Sequence, residues 1–283
     1  MRVLVLGASG MLGNAMLRVM SEHDDWTVYG TLRSPNPTLK ALAPKAQLLH
    51  DIHADQPDSL LAAFTQSRPQ VVINCVGLVK QLASANDPLE AIPINALLPH
   101  RLARLCELTQ ARLVHISTDC VFSGGQGNYR ESDMPDAGDL YGRSKLLGEV
   151  DDRHAVTLRT SIIGHELGHG HGLIGWFLSQ QERVKGYTEA IFSGLPTCEL
   201  ARVVRDYVIP NTNLHGLYHV AAEPISKHDL LQIVSRIYGK ALQIDPDDRV
   251  KINRSLDASK FKQVTGYVAP AWPDLIARMH EFR

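Results

Sequence analysis

Short runs of β-branched and leucine residues alternate with segments of helical periodicity through residues 1–164. The strands predicted from these runs cover residues 3–6, 26–30, 46–49, 71–73, 113–116 and 156–158. The helices predicted between them cover residues 11–20, 56–65, 96–109 and 140–150. Such alternation predicts a parallel sheet that helices cover on both faces, with right-handed crossovers. We therefore expect an α/β fold with a doubly wound sheet of the Rossmann type.

The pattern changes after residue 164, where a glycine- and histidine-rich loop begins. Beyond it we predict a helix at 173–181, strands near 185–192 and 218–221, and a helix at 227–238. We assign residues 1–164 to the sheet domain and 165–283 to a smaller α/β lobe, with part of 190–225 returning to the first domain. The lobe is expected above the carboxyl ends of the parallel strands, where ligands bind in open α/β sheets.

The composition excludes several classes of protein. The 283 residues carry 29 Lys and Arg against 30 Asp and Glu, a net charge of −1, whereas nucleic-acid binders need surplus cations. A hydrophobic content of 44% can fill a core, and four cysteines without a C-x-x-C pair disfavour disulfide or zinc frameworks. No apolar run approaches the roughly 18–20 residues of a membrane span, and no secretory leader is evident. We expect a cytoplasmic protein that binds neither nucleic acid nor membrane, and a homodimer remains open.

Three glycines follow the first strand with the spacing G-x-x-G-x-x-G, at Gly7, Gly10 and Gly13. In this context Gly7 permits the tight turn, Gly10 lets the backbone approach a pyrophosphate, and Gly13 lets the helix pack closely. The helix N-terminus then stabilises the phosphate charge. Glycines alone also fit an ordinary turn, but the strand–turn–helix context predicts a dinucleotide site.

The end of the second predicted strand indicates which dinucleotide is bound. An NAD site usually has Asp or Glu there, about 20 residues past the glycines, and residues 29–34 contain neither. Arg33 can pair with a 2′-phosphate, and Thr31 and Ser34 can add hydrogen bonds. The alternative is that Arg33 lies in a loop and contacts only solvent. We expect NADP(H) as the cofactor, with NAD(H) as the lesser option.

A tyrosine and a lysine four residues apart, Tyr141 and Lys145, lie on one face of a predicted helix. An ammonium near a phenol favours the phenolate, so we expect Lys145 to lower the pKa of Tyr141 toward the working range. Ser117 and Thr118 end the fifth predicted strand, where a hydroxyl can hold a substrate oxygen. If Tyr141 and Lys145 are considered alone, the simpler alternative is that they form an exposed pair on the surface of a helix.

Together these motifs resemble the extended short-chain dehydrogenase/reductase superfamily. Within it, the segment 117–124, Ser-Thr-Asp-Cys-Val-Phe-Ser-Gly, is similar to the signature of the dTDP-4-dehydrorhamnose reductase family. Further matches in the expected order are Asn95-Ala96-Leu97-Leu98-Pro99, Arg159-Thr160-Ser161, Gly194-Leu195-Pro196-Thr197 and Gly216-Leu217-Tyr218-His219-Val220. The resemblance therefore covers nearly the whole chain.

The resemblance implies roles for individual residues. Tyr141 would donate the proton to the 4-keto oxygen of a nucleotide-linked sugar, Lys145 would bind the nicotinamide ribose, and Thr118 would hydrogen-bond the reacting oxygen. The sheet domain would hold NADP(H) and the lobe the substrate. Beyond those already named, the cofactor-binding residues would be Ser9, Met11, Leu12, Asp51, Ile52, Cys75, Val76, Gly77, Asn95 and Ser117, with Asn74 beside them. The substrate-binding residues would be Lys80, Thr118, Asp119, Cys120, Trp176, Pro196 and Arg254.

Some positions depart from the family pattern and leave the sugar open. Cys120 stands where the family usually has Tyr, and Ile162-Ile163 where a substrate-contacting Trp often follows Arg-Thr-Ser. We expect NADPH-dependent reduction of the 4-keto group of a dTDP- or UDP-linked 6-deoxy sugar, for polysaccharide or deoxysugar synthesis. The alternatives are a 4-epimerase that reuses NAD and a non-catalytic regulatory subunit that binds NADP.

The histidine-rich segment 165–171 has a density of imidazoles that suits a transition metal. Its glycines break any helix, and the proposed reduction needs no metal. We expect a loop that covers the substrate, and no metal site.

Overall fold

The computed structural model describes residues 1–79, 83–168 and 172–283. The strands are β1 (Arg2–Leu6), β2 (Thr27–Thr31), β3 (Gln47–Leu49), β4 (Val71–Asn74), β5 (Arg112–Thr118), β6 (Ala155–Thr160), β7 (Ile162–Ile163), β8 (Val184–Tyr187), β9 (Ala190–Phe192), β10 (Leu195–Pro196), β11 (Gly216–His219), β12 (Ile225–Ser226), β13 (Ile244–Asp247) and β14 (Ile252–Asn253). The α-helices are α1 (Met11–Met20), α2 (Pro37–Leu42), α3 (Pro57–Ser67), α4 (Pro88–Ala91), α5 (Leu98–Leu108), α6 (Leu140–Leu147), α7 (Leu173–Ser179), α8 (Thr197–Val203), α9 (Lys227–Ile237), α10 (Ser259–Thr265) and α11 (Trp272–Glu281). Short 3₁₀ turns cover Ala83–Asn86 and Asp119–Val121, and π-helical turns cover Ile92–Leu97 and Val204–Val208.

The central sheet has seven strands in the order β11-β6-β5-β4-β1-β2-β3, and every pairing is parallel. The chain moves outward in one direction from β1 through β2 to β3, and in the other from β4 through β5 and β6 to β11. The order therefore reverses between β1 and β4, which creates a crevice at the carboxyl edge of the sheet. The predicted Rossmann-type sheet is confirmed.

Alternate residues of β1 explain why the strand is apolar throughout. Val3 and Val5 pack into one core, and Leu4 and Leu6 pack into a second core on the other face. The first core continues through α1 and α8 to α7, α9 and α11 and includes Met16, Val19, Ile174, Phe177, Leu200, Leu230 and Leu275. The second lies under α3 and α5 and includes Leu60, Phe64, Leu102 and Cys106. Each large side chain buried in this way contributes about 1.5–3 kcal/mol.

The glycine turn joins β1 to α1 at close quarters. Gly7 has a positive φ of 76°, which favours glycine. A Cβ atom on Gly13 would lie 2.0 Å from the carbonyl oxygen of Gly7, so a larger residue there would force α1 off the turn. The turn is further held by the Thr31 hydroxyl at the end of β2, which accepts a hydrogen bond from Gly7 N (3.1 Å).

The chain after residue 164 does not form a separate tail, because β11 returns to the central sheet beside β6. The segment predicted as one strand near 185–192 is two strands: β8 pairs with β13, whereas β9 pairs with β12 and β14. A buried carboxylate ties α11 and the segment before it to α8, since Glu199 accepts hydrogen bonds from Tyr267 Oη (3.1 Å) and Arg278 Nη1 (2.8 Å). Within the described residues, no helix combines the length and apolarity that crossing a bilayer requires.

Candidate active site

Four segments meet at the carboxyl edge of the sheet, and their order in the fold explains why. Strands β1, β4 and β5 are neighbours in the sheet. The glycine turn follows β1, a loop follows β4, and Thr118 ends β5. Helix α6 packs against the 3₁₀ turn after β5. A Cβ atom on Gly142 would lie 2.3 Å from the carbonyl oxygen of Cys120, so a glycine is needed at this contact. This close approach brings Tyr141 of α6 to Thr118 of β5.

Thr118 and Tyr141 form the hydroxyl pair of the site. Thr118 is buried (7% exposed); its Oγ1 accepts a hydrogen bond from Cys120 N (3.1 Å) and lies 3.2 Å from Asp119 Oδ1. The pKa of Tyr141 is raised above its ordinary value, and burial is the main cause. A hydrogen bond with Thr118 lowers the pKa in part. Tyr141 is therefore a protonated phenol at neutral pH.

Lys145 lies one helical turn from Tyr141 and is 6% exposed. Its ammonium donates a hydrogen bond to the carbonyl oxygen of Ile116 in β5 (2.8 Å). Burial lowers the pKa of Lys145 to about 8, while Glu149 and Cys75 oppose that shift. The expectation that Lys145 lowers the pKa of Tyr141 is wrong for this structure, because burial of the phenol dominates and the ammonium is directed at β5.

Asp119 is a buried carboxyl next to the hydroxyl pair. Burial raises its pKa, and the cations Arg254 and Lys227 of the lobe oppose that effect. Arg254 is held in place because its Nε donates to the carbonyl oxygen of Phe122 (2.7 Å). Burial also raises the pKa of the neighbouring Cys120 to about 12, so its thiol stays protonated. Sequence reasoning missed Lys227, since a lysine at the start of a helix carries no signal of what it faces.

The predicted cofactor-binding residues divide into an accessible set and an internal set. Accessible or partly accessible are Gly7, Ser9, Gly10, Met11, Arg33, Ser34, Asp51, Cys75, Val76 and Gly77. Buried are Leu12, Gly13, Thr31, Ile52, Asn95 and Ser117. Several of these buried groups already have protein partners.

Thr31 supports the glycine turn, because its hydroxyl accepts the hydrogen bond from Gly7 N. Ile52 packs into the second core. Asn95, on the π-helical turn, accepts a hydrogen bond from Leu78 N (2.9 Å) and donates to Leu78 O (3.2 Å) and Ser144 Oγ (3.3 Å). Asn95 thus connects the loop after β4 to α6.

Predicted substrate residues also lie in different settings. Arg254 is beside Asp119, as described above, and Trp176 is 40% exposed on α7. Pro196 is buried in β10, where it pairs with Ile163 of β7. Lys80 lies outside the described residues.

The histidine-rich segment is described only through residue 168. His165 Nε2 lies 2.8 Å from Tyr238 Oη, and Glu166 accepts a hydrogen bond from Gly172 N (2.9 Å). A Cβ atom on Gly172 would lie 3.6 Å from Met11 Sδ, so the start of α7 is close to the start of α1. Among the described residues there is no group of three or more metal-ligating side chains; His169 and His171 lie outside them.

Comparison with known proteins gives a family match over almost the whole chain. The profile described as the RmlD substrate binding domain matches residues 1–281. A probable low-salt glycan biosynthesis reductase, Agl14, of Haloferax volcanii is 27% identical over 234 residues, which cover 79% of this chain and 75% of that protein. Methionine adenosyltransferase 2 subunit beta of Pongo abelii is 33% identical over 172 residues, which cover 59% of this chain and 48% of that protein. The chain thus spans about half the length of the second relative.

Solved structures share the fold. A hypothetical dTDP-4-dehydrorhamnose reductase from Sulfolobus tokodaii has a TM-score of 0.77 at 25% identity, covering 96% of this chain and 98% of that one. The dTDP-4-dehydrorhamnose reductase of Bacillus anthracis in complex with NADP has a TM-score of 0.79 at 20% identity, covering 100% and 99%. The resemblance inferred from the motifs is confirmed, and the chain belongs to the family of the RmlD substrate binding domain.

Proposed function

We propose that this protein reduces the 4-keto group of a dTDP- or UDP-linked 6-deoxy sugar with NADPH, in the synthesis of a polysaccharide or deoxysugar. The observation that carries the proposal is the meeting of Thr118, Tyr141 and Lys145 at the sheet edge that also holds the glycine turn. The reductase names of the Haloferax, Sulfolobus and Bacillus relatives support it.

The glycine turn fits the pyrophosphate of a dinucleotide. Ser9 and Gly10 are exposed, α1 has no capping side chain within the described residues, and its first turn has no acidic residue. The first amides of α1 are thus suited to an anion. Gly7 to Gly13 would hold the pyrophosphate, Arg33 and Ser34 the 2′-phosphate, and Lys145 the nicotinamide ribose. When bound, the cofactor supplies a hydride to the carbonyl carbon.

The protein's part in the reaction is to place the ketone and deliver a proton. Thr118 Oγ1 holds the carbonyl oxygen, and Tyr141 gives its phenolic proton to that oxygen as the carbon becomes a secondary alcohol. The raised pKa of Tyr141 suits this role because it keeps the phenol protonated until the oxygen becomes basic. The Tyr141 phenolate that remains is reprotonated from solvent before the next turnover.

The lobe, residues 165–283, is proposed to bind the nucleotide sugar. Arg254 and Lys227 bring positive charge from the lobe to Asp119, beside the reacting hydroxyls. A sugar nucleotide carries a diphosphate, so cations at this boundary suit it. Because NADPH and nucleotide sugars are metabolites of the cytoplasm, the proposal places the protein there.

The test is turnover against a panel of dTDP- and UDP-linked 4-keto-6-deoxy sugars, including N-acetylated members. NADPH oxidation is followed by absorbance, and mass spectrometry detects the gain of two hydrogens in the sugar. Oxidation with at least one member is expected. Failure with every member contradicts the proposal, and formation of an isomer without net NADPH consumption supports a 4-epimerase instead.

Replacing Arg33 with Ala is expected to raise the KM for NADPH about tenfold and to leave the KM for NADH unchanged. The reason is the loss of a charge-assisted contact to the 2′-phosphate, which is worth about 1.5 kcal/mol or more. Arg104→Ala is the matched control, because Arg104 is an exposed arginine on α5 that pairs with Glu107. Equal changes in the two KM values would show that Arg33 does not read the 2′-phosphate.

A further inference from the structure

A buried carboxylate stands directly behind the catalytic helix. Glu149 follows the end of α6, four residues after Lys145, and its side chain is 12% exposed. Its Oε1 accepts hydrogen bonds from Ser117 Oγ (2.7 Å) and Arg159 Nε (2.7 Å), and its Oε2 accepts one from Arg159 Nη2 (2.7 Å). The carboxylate therefore connects α6 to the carboxyl ends of both β5 and β6.

Arg159 continues this network away from the site. Its side chain is 3% exposed, its guanidinium lies 5.2 Å from the ring centre of Phe122, and Nη1 lies 3.4 Å from His219 Nε2. His219 Nδ1 lies 3.0 Å from the carbonyl oxygen of Tyr129, so Nδ1 carries the proton and Nε2 is free to accept from Arg159. Burial lowers the pKa of His219 to about 4, so it is neutral. Glu149 is the acid that pairs with the Arg159 charge.

The groups that face Lys145 show what else Glu149 does. Cys75, from the loop after β4, is a neutral thiol because burial raises its pKa to about 12. His115, from β5, is neutral because burial lowers its pKa well below the ordinary value, and its Nδ1 lies 3.1 Å from Asn74 Nδ2. Glu149 is the carboxylate among these groups. Its electrostatic attraction favours the charged form of Lys145.

We propose that Glu149 is the positioning residue of this site: it fixes Ser117 and Arg159 behind Thr118, and its carboxylate lies one helical turn along the chain from Lys145. The proposal rests on the reductase function, in which Lys145 acts as a cation. In this role Glu149 acts on other residues of the protein and not on the reacting atoms. It acts through β5, where Thr118 follows Ser117, and through the charge state of Lys145.

The experiment is the pH dependence of kcat and of NADPH affinity in Glu149→Gln. In the wild type, activity is expected to fall as the pH rises through about 8, because Lys145 then loses its proton. We call this fall in activity at high pH the alkaline limb. Without the carboxylate the alkaline limb should move to a pH about one unit lower, which makes the loss of activity at pH 8.5 up to about tenfold greater. The Kd for NADPH, measured by fluorescence, should show the same displacement.

Two further variants separate positioning from bulk stability. Glu149→Asp restores the charge and should return the alkaline limb to its wild-type position. Ser117→Ala removes one hydrogen bond without a charge, so it should leave the limb in place while reducing kcat. If Glu149→Gln does not fold because Arg159 loses its anion, the double variant Glu149→Leu/Arg159→Met removes both charges and should show the displaced limb.

The proposal is overturned if the activity of Glu149→Gln, or of the double variant, falls at the same alkaline pH as that of the wild type. This holds even if the melting temperature of the variant is lower. The NADPH titration needs no sugar substrate. A failure of the proposed sugar reduction would therefore appear as absent turnover with an intact pH dependence of Kd, whereas a failure of the Glu149 proposal would appear as an unmoved Kd profile.

Discussion

Replacing Tyr141 with Phe is expected to lower kcat for ketone reduction about 10²–10⁴-fold, the range that general acid catalysis usually contributes. The substitution removes only the phenolic oxygen, so the ring should keep its place between α6 and β5. The proton would then have to come from water, which the half-buried position of the phenol restricts. We also expect a small change in KM, because Thr118 still offers its hydroxyl to the carbonyl oxygen.

The measurement is steady-state NADPH oxidation with the best substrate of the sugar panel. Tyr207→Phe is the matched control, since Tyr207 lies 37% exposed on the second π-helical turn and has no proposed role. A Tyr141→Phe variant with more than a tenth of the wild-type kcat would remove Tyr141 from the mechanism. If such a variant also kept its full biological effect, the regulatory-subunit alternative would gain support.

Replacing Lys145 with Met is expected to lower kcat by at least about 10²-fold. The same substitution should make the folded protein more stable at pH 7. Activity falls because the cation proposed to hold the nicotinamide ribose is gone. Stability rises because the pKa of Lys145 in the folded state, about 8, lies about 2.5 units below the ordinary value of 10.5. That difference corresponds to about 3 kcal/mol of unfavourable burial.

The pH dependence of stability fixes the sign of this effect. Below pH 8, Lys145 is charged in both states and the folded protein bears the full penalty of the buried charge. Between pH 8 and 10.5, the folded state has lost the proton and the unfolded state still holds it, so the wild type gains stability as the pH rises. The Lys145→Met variant would lose the hydrogen bond to Ile116 O, worth about 1 kcal/mol, so we expect a net gain of about 1–2 kcal/mol at pH 7.

Urea unfolding at pH 7 and at pH 10.5 checks this expectation. The advantage of Lys145→Met over the wild type should shrink at the higher pH. A variant that is less stable than the wild type at pH 7 would show that the ammonium is well stabilised where it lies, and that its low pKa has another cause.

The parts of the site that the sequence could predict are those encoded locally. Gly7, Gly10 and Gly13 lie close together where β1 passes into α1, and Tyr141 and Lys145 lie one helical turn apart, so spacing alone carries their geometry. The parallel sheet followed from the alternation of strands and helices, and the ligand-binding edge followed from the parallel sheet. Each of these inferences needs only near neighbours in the chain.

What the sequence could not provide depends on distant segments. Thr31 and Asn95 have side chains that suit a ligand, and only the fold reveals that Gly7, Leu78 and Ser144 are their partners. The raised pKa of Tyr141 likewise follows from burial, which no spacing encodes. Helix α8 was missed because it is short and is buried nearly all round, which removes the amphipathic signal.

The return of β11 to the central sheet has a consequence for how such proteins diversify. Because the chain leaves the sheet after β6 and comes back at β11, the intervening segment is an insertion with two junctions. A new specificity cannot arrive by fusing a different tail after β6, since that would also remove the edge strand and the imidazole that Arg159 contacts. Recombination between relatives must exchange this insertion at both ends, whereas the segment after β11, which carries Lys227 and Arg254, can be exchanged at a single junction.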